Sequence, residues 1–179
     1  MKSMFSKKKM VCAGLALATC LIATMPSTDA KGREAKNVIL MISDGQGFNV
    51  VKATEHYTGA KAAYESFGHK YAMQTHSAGR RNGYVGVPYD PAMMAGSFNY
   101  AKSGATDSAS AATAMYTGEK IYDNEVNYTP GNQSIETFFE KAAKAGKSIG
   151  AVSTVNWTHA TPVAVFAHNI SRGNYGQMA

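Results

Sequence analysis

The chain has 179 residues, with 18 basic and 12 acidic side chains and a net charge of +6. Residues 1–30 contain four of the basic residues and one of the acidic ones, so the other 149 residues carry a net charge of +3. That charge is small and forms no Lys/Arg run, which argues against a nucleic-acid partner.

Residues 1–30 have the pattern of a secretory signal peptide. Lysines precede the apolar run Val11 to Ala23, whose 13 residues are too few to span a bilayer. Thr28 and Ala30 form a small-residue cleavage pattern, so we expect cleavage near Ala30 and a secreted or periplasmic protein without a stable membrane span. An alternative stays open, in which Cys20 is the lipidated cysteine of a bacterial lipoprotein.

Residues 31–179 are long enough for one domain with its own core. Both cysteines, Cys12 and Cys20, lie in the leader, so residues 31–179 contain no thiol. Any metal site there must use histidine and carboxylate groups, and no disulfide is available.

The first element predicted after the leader is a strand. Asn37 to Ser43 form an unbroken apolar run with polar ends, which is typical of a central strand buried on both faces. Asp44-Gly45-Gln46-Gly47 follow it directly. The glycines would let the backbone turn sharply and leave the Asp44 carboxylate free to hold a hard cation. The alternative is an ordinary Asp-Gly turn that ends a strand.

A cluster of small residues between Thr106 and Ala114 predicts a tightly packed helix. Asp107 or a neighbour would cap a helix through Ala109 to Tyr116, which places the Ser108 hydroxyl near the helix N-terminus. A phosphate ester suits that position. An ordinary cap on an alanine-rich core helix explains the same pattern. No G-x-S-x-G elbow surrounds any serine, which argues against an ordinary serine esterase.

The last part of the pattern is a helix followed by a second strand. Apolar residues recur at helical spacing from Ile135 to Ala143, with Ser134 as the predicted N-cap and Gly146 as the stop. Residues 148–154 then form a small, β-branched run. The order predicts an α/β fold with a mostly parallel central sheet flanked by helices. The segment from Gly79 to Lys102 shows no sustained periodicity and is predicted to be irregular.

Polar residues also follow the second predicted strand, in the sequence Asn156-Trp-Thr-His-Ala-Thr161. Ligands bind at the carboxyl ends of parallel strands, so His159 and Asp44 are predicted neighbours. With Asp44, the run around Ser108, His159-Ala-Thr-Pro162 and the later Arg172, the chain resembles the alkaline phosphatase family. The resemblance covers residues 36 to 179 and implies that family's fold with its C-terminal part missing.

The resemblance implies specific roles. Ser108 would be the nucleophile that is phosphorylated and a zinc ligand, and Asp44 would bind zinc and magnesium. Arg172 would grip the phosphoryl oxygens with its bidentate fork, and Asp107 would orient Arg172.

His159 and Thr161 match the positions around the third metal. Family members carry either aspartate or histidine at the position of His159, so the identity of that metal stays open. Taken singly, these residues have ordinary explanations, such as a loop histidine or a helix that begins at Thr161-Pro162. The other histidines are predicted to be structural or exposed (His56, His69, His76), while His168 packs on or supports the site from a helix.

The implied function is an alkaline phosphatase that uses Zn²⁺ and Mg²⁺ to hydrolyse phosphate monoesters through a phosphoserine. Family members run to several hundred residues, so the remaining metal ligands would lie beyond Ala179 and this chain alone is expected to be inactive. A homodimer stays open for the full-length protein. Alternatives are a sulfatase, phosphodiesterase or phosphomutase of the same superfamily, or a secreted phosphate-binding module without turnover.

Overall fold

The computed structural model of the protein describes residues 35–179 and divides into two compact units. Within the first unit, which ends at Ile42, residues 35–42 form no helix or strand. The second unit, Ser43–Ala179, contains the helices and every site residue named above. The predicted signal peptide, its cleavage site and Cys20 lie outside the described residues. From residue 35 onward, no helix has the length and apolar character needed to cross a membrane.

The regular structure of the second unit consists of short helices, which are joined by long irregular segments. A short 3₁₀ helix covers Ala63–Ser66. The α-helices are α1 (Phe48–Thr58), α2 (Pro91–Gly96), α3 (Phe98–Lys102), α4 (Ser108–Thr117), α5 (Phe138–Lys144), α6 (Ala160–Val163) and α7 (Tyr175–Met178).

The core of this unit surrounds α4, which packs against α5 and α6. Ala109 and Ala112 of α4 are completely buried, as is Val163 of α6. Alanine side chains allow the helix backbones to approach closely, which explains the small-residue run in the sequence. The Tyr116 ring meets Phe139 of α5 edge-on, with 5.1 Å between ring centroids. This packing fixes α4, the element that positions the candidate site.

The predicted helix near residue 138 is confirmed at its end but begins later than predicted. Helix α5 ends at Lys144, and Gly146 adopts a positive φ of 77°. Its N-cap is Thr137, not Ser134. The Thr137 hydroxyl accepts the Glu140 N–H and the Glu140 carboxylate accepts the Thr137 N–H, so the two residues form a reciprocal capping box.

The predicted parallel sheet is not confirmed. Residues 37–43 and 148–154 have no regular strand structure, and the backbone pairs between residues 43 and 179 are isolated bridges such as Gly79 with Tyr122 and Val126 with Asn169. A strand needs a neighbouring strand to satisfy its backbone groups. Within the part of the chain that the structure describes, neither run has such a neighbour, so the sheet stays a prediction.

The segment predicted to be irregular, Gly79 to Lys102, contains two short helices at its end. The Asp90 carboxylate caps α2, whose first residue is Pro91, and the Ser97 hydroxyl caps α3. The prediction was therefore wrong for residues 91–102. That prediction relied on apolar periodicity, which helices of five or six residues are too short to show. The sequence signal for such helices is the capping residue before them.

Candidate active site

Asp44 brings together two segments that are far apart in the chain. It follows Ser43 at a turn in which Gly45 has a φ of 77°. The Ser108 hydroxyl donates to Asp44 Oδ1 at 3.2 Å, and the Thr161 hydroxyl donates to Asp44 Oδ2 at 2.9 Å. Asp44 itself is exposed. One carboxylate therefore gathers the candidate nucleophile and a candidate metal ligand, and all three side chains offer oxygen.

The predicted helix after Asp107 is confirmed as α4. Asp107 is its N-cap, and its carboxylate accepts the Ser110 N–H at 2.9 Å. Ser108 is the first helical residue and is partly exposed. The first N–H groups of a helix and its dipole favour an anion at this end, so the Ser108 hydroxyl lies where a phosphoryl group would be stabilised.

Asp107 holds Arg172 as well as the helix. Arg172 Nη1 donates to Asp107 Oδ2 at 3.0 Å, and the backbone N–H of Asn124 donates to the same oxygen at 3.1 Å. Burial alone would raise the pKa of Asp107. The hydrogen bonds from Ser110 and the Arg172 guanidinium outweigh that effect and lower the pKa, so the carboxylate is ionised across the neutral range.

Arg172 also reaches His159, the N-cap residue of α6. Arg172 Nη2 lies 3.3 Å from His159 Nε2. A guanidinium can only donate, so Nε2 accepts and a neutral His159 carries its proton on Nδ1. In this arrangement Nε2 is engaged by Arg172. The guanidinium has more N–H groups than these two contacts use, and the remaining ones suit the oxygens of a bound anion.

Three residues at the site were not predicted from the sequence. The buried Tyr116 donates its hydroxyl to the Thr161 carbonyl at 3.1 Å. Burial, with the nearby charge of Asp44, raises the pKa of Tyr116 to about 12, so it stays a neutral donor. The other two residues contact Asp107. The Ser110 hydroxyl donates to the Asp107 carboxylate, and the Asp123 carboxylate accepts the Asp107 N–H. Tyr116 lies on the core side of α4, where an aromatic residue first predicts packing, and its polar contact had no sequence signal.

The oxygen donors around Asp44 suit a hard cation such as magnesium. A catalytic zinc normally has three protein ligands drawn from histidine, cysteine and carboxylate. Between residues 35 and 179, the structure contains no group of three or more such side chains placed to hold a metal. The chain thus fits part of a magnesium site through Asp44 and Thr161, and only a minor part of a zinc site through Asp44 and Ser108.

The remaining histidines lie apart from this cluster. His56 and His69 are exposed, and burial with the nearby Lys120 lowers the pKa of His76. His168 does not lie on a helix, contrary to the prediction. Its Nε2 is 2.8 Å from Glu140 Oε1, so it packs against the α5 capping box.

Comparison with known proteins points to one family. The alkaline phosphatase family model matches residues 35–179. Alkaline phosphatase 4 of Bacillus subtilis is 34% identical over 153 residues, which cover 82% of this chain and 29% of that protein. The alkaline phosphatase of Escherichia coli is 32% identical over 148 residues, which cover 82% of this chain and 28% of that protein.

Solved structures give the same result. The alkaline phosphatase of the Antarctic bacterium TAB5 superimposes with a TM-score of 0.62 at 29% identity, covering 79% of this chain and 35% of that one. Two structures of histidine variants of the TAB5 enzyme have magnesium bound in the M3 site. The chain spans about a third of the length of the relatives that it matches.

Proposed function

Because the chain belongs to the alkaline phosphatase family, we propose that it supplies the nucleophile and the phosphate clamp of a zinc- and magnesium-dependent phosphomonoesterase. One observation carries the proposal. Asp107 and Ser108 are consecutive at the start of α4, and they connect this helix end to Arg172 on one side and to Asp44 on the other. The substrates would be phosphate monoesters, and the products an alcohol and inorganic phosphate.

The clamp would bind the phosphoryl group before any chemistry. Arg172 would donate its remaining N–H groups to two phosphoryl oxygens, while Asp107 and His159 hold the guanidinium in place. The N-terminus of α4 would stabilise the negative charge on the group. A lysine at position 172 would keep the charge but lose the fork, so Arg172 would be needed for orientation.

Ser108 would attack the phosphorus, the bond to the ester oxygen would break, and the alcohol would leave with a proton. Water would then break the phosphoserine bond, which releases inorganic phosphate and restores the serine hydroxyl. In the described structure the Ser108 hydroxyl donates to Asp44, which holds the hydroxyl in place but does not by itself remove the proton. Asp44, Thr161 and Ser108 would hold part of the metal set. When bound, these metals would supply the positive charge that lowers the pKa of a serine hydroxyl.

Activity belongs to the whole protein that contains this chain, and we propose it at that level only. The chain alone offers few zinc ligands, so we expect weak zinc binding and no zinc-dependent turnover from it. It would still bind inorganic phosphate through Arg172. A homodimer for the whole protein and secretion after cleavage near Ala30 are further parts of the proposal. N-terminal sequencing of exported protein tests the cleavage, and a mature start at Cys20 would replace it by lipidation.

The decisive experiment traps the covalent intermediate in the whole protein. Labelled phosphate is added with zinc and magnesium, the reaction is stopped in acid, and the labelled peptide is mapped. We expect label on Ser108, none after Ser108→Ala, and label still on Ser108 after Ser110→Ala, whatever its amount. Label on Ser110, or no covalent label in a protein that hydrolyses an aryl phosphate, would contradict the proposed mechanism.

Inactivity of the chain alone is tested separately. Equilibrium dialysis measures zinc binding by the 179-residue chain, and an aryl phosphate assay measures turnover. Tight stoichiometric zinc with zinc-dependent hydrolysis would show that the chain already holds a complete metal site.

A further inference from the structure

We infer that Ser110 and Asp123 are positioning residues for Arg172, acting through Asp107. In the described structure neither side chain hydrogen-bonds to Ser108 or Arg172, and neither residue was among the site residues predicted from the sequence. The inference deepens the proposed function and rests on it for the consequence in phosphate binding. The positioning itself can be tested without phosphate.

The Ser110 side chain makes more contacts with Asp107 than capping of α4 requires. A helix N-cap needs only a backbone N–H as donor, and the Ser110 N–H serves Asp107 Oδ1 at 2.9 Å. The Ser110 hydroxyl donates to the same oxygen at 2.8 Å. Ser110 is only 2% exposed, so water does not substitute easily for this contact. Asp107 Oδ1 is thus held by two donors from one residue, which leaves Oδ2 facing Arg172.

Asp123 is the second positioning residue, and its carboxylate contacts the Ser110 hydroxyl. Its side chain is 7% exposed, and its Oδ2 pairs with Arg80 Nε at 3.4 Å. Asp123 Oδ1 lies 3.0 Å from the Ser110 hydroxyl and accepts the Asp107 N–H at 3.4 Å. Asp123 therefore contacts both the backbone of the N-cap residue and the hydroxyl that holds the N-cap carboxylate.

One hydroxyl faces two carboxylates, and this limits how the cluster can be arranged. The Ser110 hydroxyl has a single proton, so it donates to Asp107 or to Asp123 at any moment. The Thr106 hydroxyl, 2.8 Å from the Ser110 oxygen, brings a second proton into the cluster. Each carboxylate has its own arginine, Arg172 or Arg80. The cluster links the two arginines through buried and partly buried groups, and its members hold one another in place.

The segment that carries Asp123 also fixes the backbone of Arg172. The Asn124 carbonyl accepts the Arg172 N–H at 2.7 Å, and the Asn124 N–H donates to Asp107 Oδ2. Asn124 therefore binds the Arg172 backbone directly, and residues 123–124 bind Asp107, which holds the Arg172 guanidinium. Misplacing such a group by about 1 Å can cost on the order of 100-fold in rate, so a second layer that fixes Arg172 has a functional consequence.

The test uses the 179-residue chain and the NMR signals of arginine side chains. We compare Ser110→Ala and Asp123→Asn with wild type, and assign the Arg172 signals from Arg172→Lys. The matched control is Thr117→Val, which removes another α4 hydroxyl, one that donates to the Thr113 carbonyl far from Asp107. Alanine is a good helix former, so Ser110→Ala should fold even if Asp123→Asn does not.

We expect exchange of the Arg172 N–H protons with water to become roughly tenfold faster in both variants, as the loss of one hydrogen bond to a charged group implies. Thr117→Val should leave it unchanged, and the Arg81 signals, from an arginine paired with Glu125, should not move in any variant. Unchanged Arg172 exchange in Ser110→Ala, or an equal change in Thr117→Val, would overturn the inference.

A second arm titrates the same proteins with inorganic phosphate, followed by ³¹P NMR. Weaker binding in Ser110→Ala than in Thr117→Val, at equal fold stability, supports the consequence for phosphate. Wild-type chain that binds no phosphate would contradict the proposed phosphate clamp, and the exchange measurement would still decide the positioning.

Discussion

The two carboxylates that flank Ser108 in the structure are built differently. Asp107 is partly buried, accepts N–H groups from Ser110, Asn124 and Arg172, and has a lowered pKa. Asp44 is exposed, and among residues 35–179 it accepts only the hydroxyls of Ser108 and Thr161. The Asp107 side is held by strong donors within the chain. The Asp44 side is an open oxygen cluster, and such a cluster gains its organisation from a cation.

The largest loss of stability is expected from a substitution on the Asp107 side. Asp107→Ala removes the cap of α4 and leaves the Arg172 guanidinium, only 20% exposed, without its carboxylate. Loss of a cap and of a partly buried charge pair should lower the free energy of unfolding by about 2–4 kcal/mol. Urea unfolding measures it.

The control on the other side is Asp44→Ala. Because Asp44 is exposed and its partners are hydroxyls that water can replace, we expect a change within about 0.5 kcal/mol. Equal losses in the two variants would mean that the two carboxylates do not differ as described.

Part of the loss at Asp107 should depend on pH. Its folded pKa lies below the unfolded value of about 3.9, because the donors from Ser110 and Arg172 outweigh the effect of burial. Its contribution is therefore present above pH 3.9 and is lost as the pH falls through the lowered folded pKa. Urea unfolding of wild type and Asp107→Asn tests this over about pH 2 to 7, a range that extends to both sides of the unfolded pKa. The two curves should converge at low pH, and a constant gap would contradict the lowered pKa.

A smaller effect concerns the clamp. Arg172→Lys keeps the charge but loses the fork, so inorganic phosphate should bind about tenfold more weakly, or about 1.4 kcal/mol. The matched control is Arg81→Lys, since Arg81 pairs with Glu125, outside the cluster of Asp107, Ser110 and Asp123, and is 40% exposed. Isothermal titration with phosphate measures both. Equal weakening by the two substitutions would mean that the loss is not specific to the fork of Arg172.

The contrast also explains what could be predicted from the sequence. Asp107 as a cap, α4 and the end of α5 follow from contacts within a few residues, and the sequence carries those signals directly. The contacts of Asp44 with Ser108 and Thr161 join residues 64 and 117 positions apart. The strand pattern predicted only that Asp44 neighbours His159, and the family resemblance alone placed Asp44, Ser108 and Thr161 in one site. Physical chemistry provides no local rule for such pairs.

Other features were not predictable, for two physical reasons. Ser110 and Asp123 read as an ordinary helix residue and a loop residue until the fold brings them together, 13 positions apart. The runs 37–43 and 148–154 have strand composition, but a strand exists only with a neighbour that accepts its hydrogen bonds. Val152 and Ile39 are exposed instead, so composition alone could not decide their conformation.

A smaller loss of stability than that at Asp107 is expected where the packed helix α4 meets the open Asp44 side of the site. Tyr116→Phe removes the hydroxyl that donates to the Thr161 carbonyl, but keeps the ring that packs on Phe139. One hydrogen bond between neutral groups is lost, so the free energy of unfolding should fall by about 1 kcal/mol. In the described structure the Tyr116 hydroxyl bonds to the Thr161 carbonyl and not to the Asp107 carboxylate. The pH dependence that we assign to Asp107 should therefore not change. Urea unfolding at neutral and acidic pH measures both quantities. Tyr116 would support both sides of the site if Tyr116→Phe lost as much stability as Asp107→Ala, or if it changed the loss of stability at acidic pH. The division between a self-sufficient Asp107 side and an open Asp44 side would then have to be abandoned.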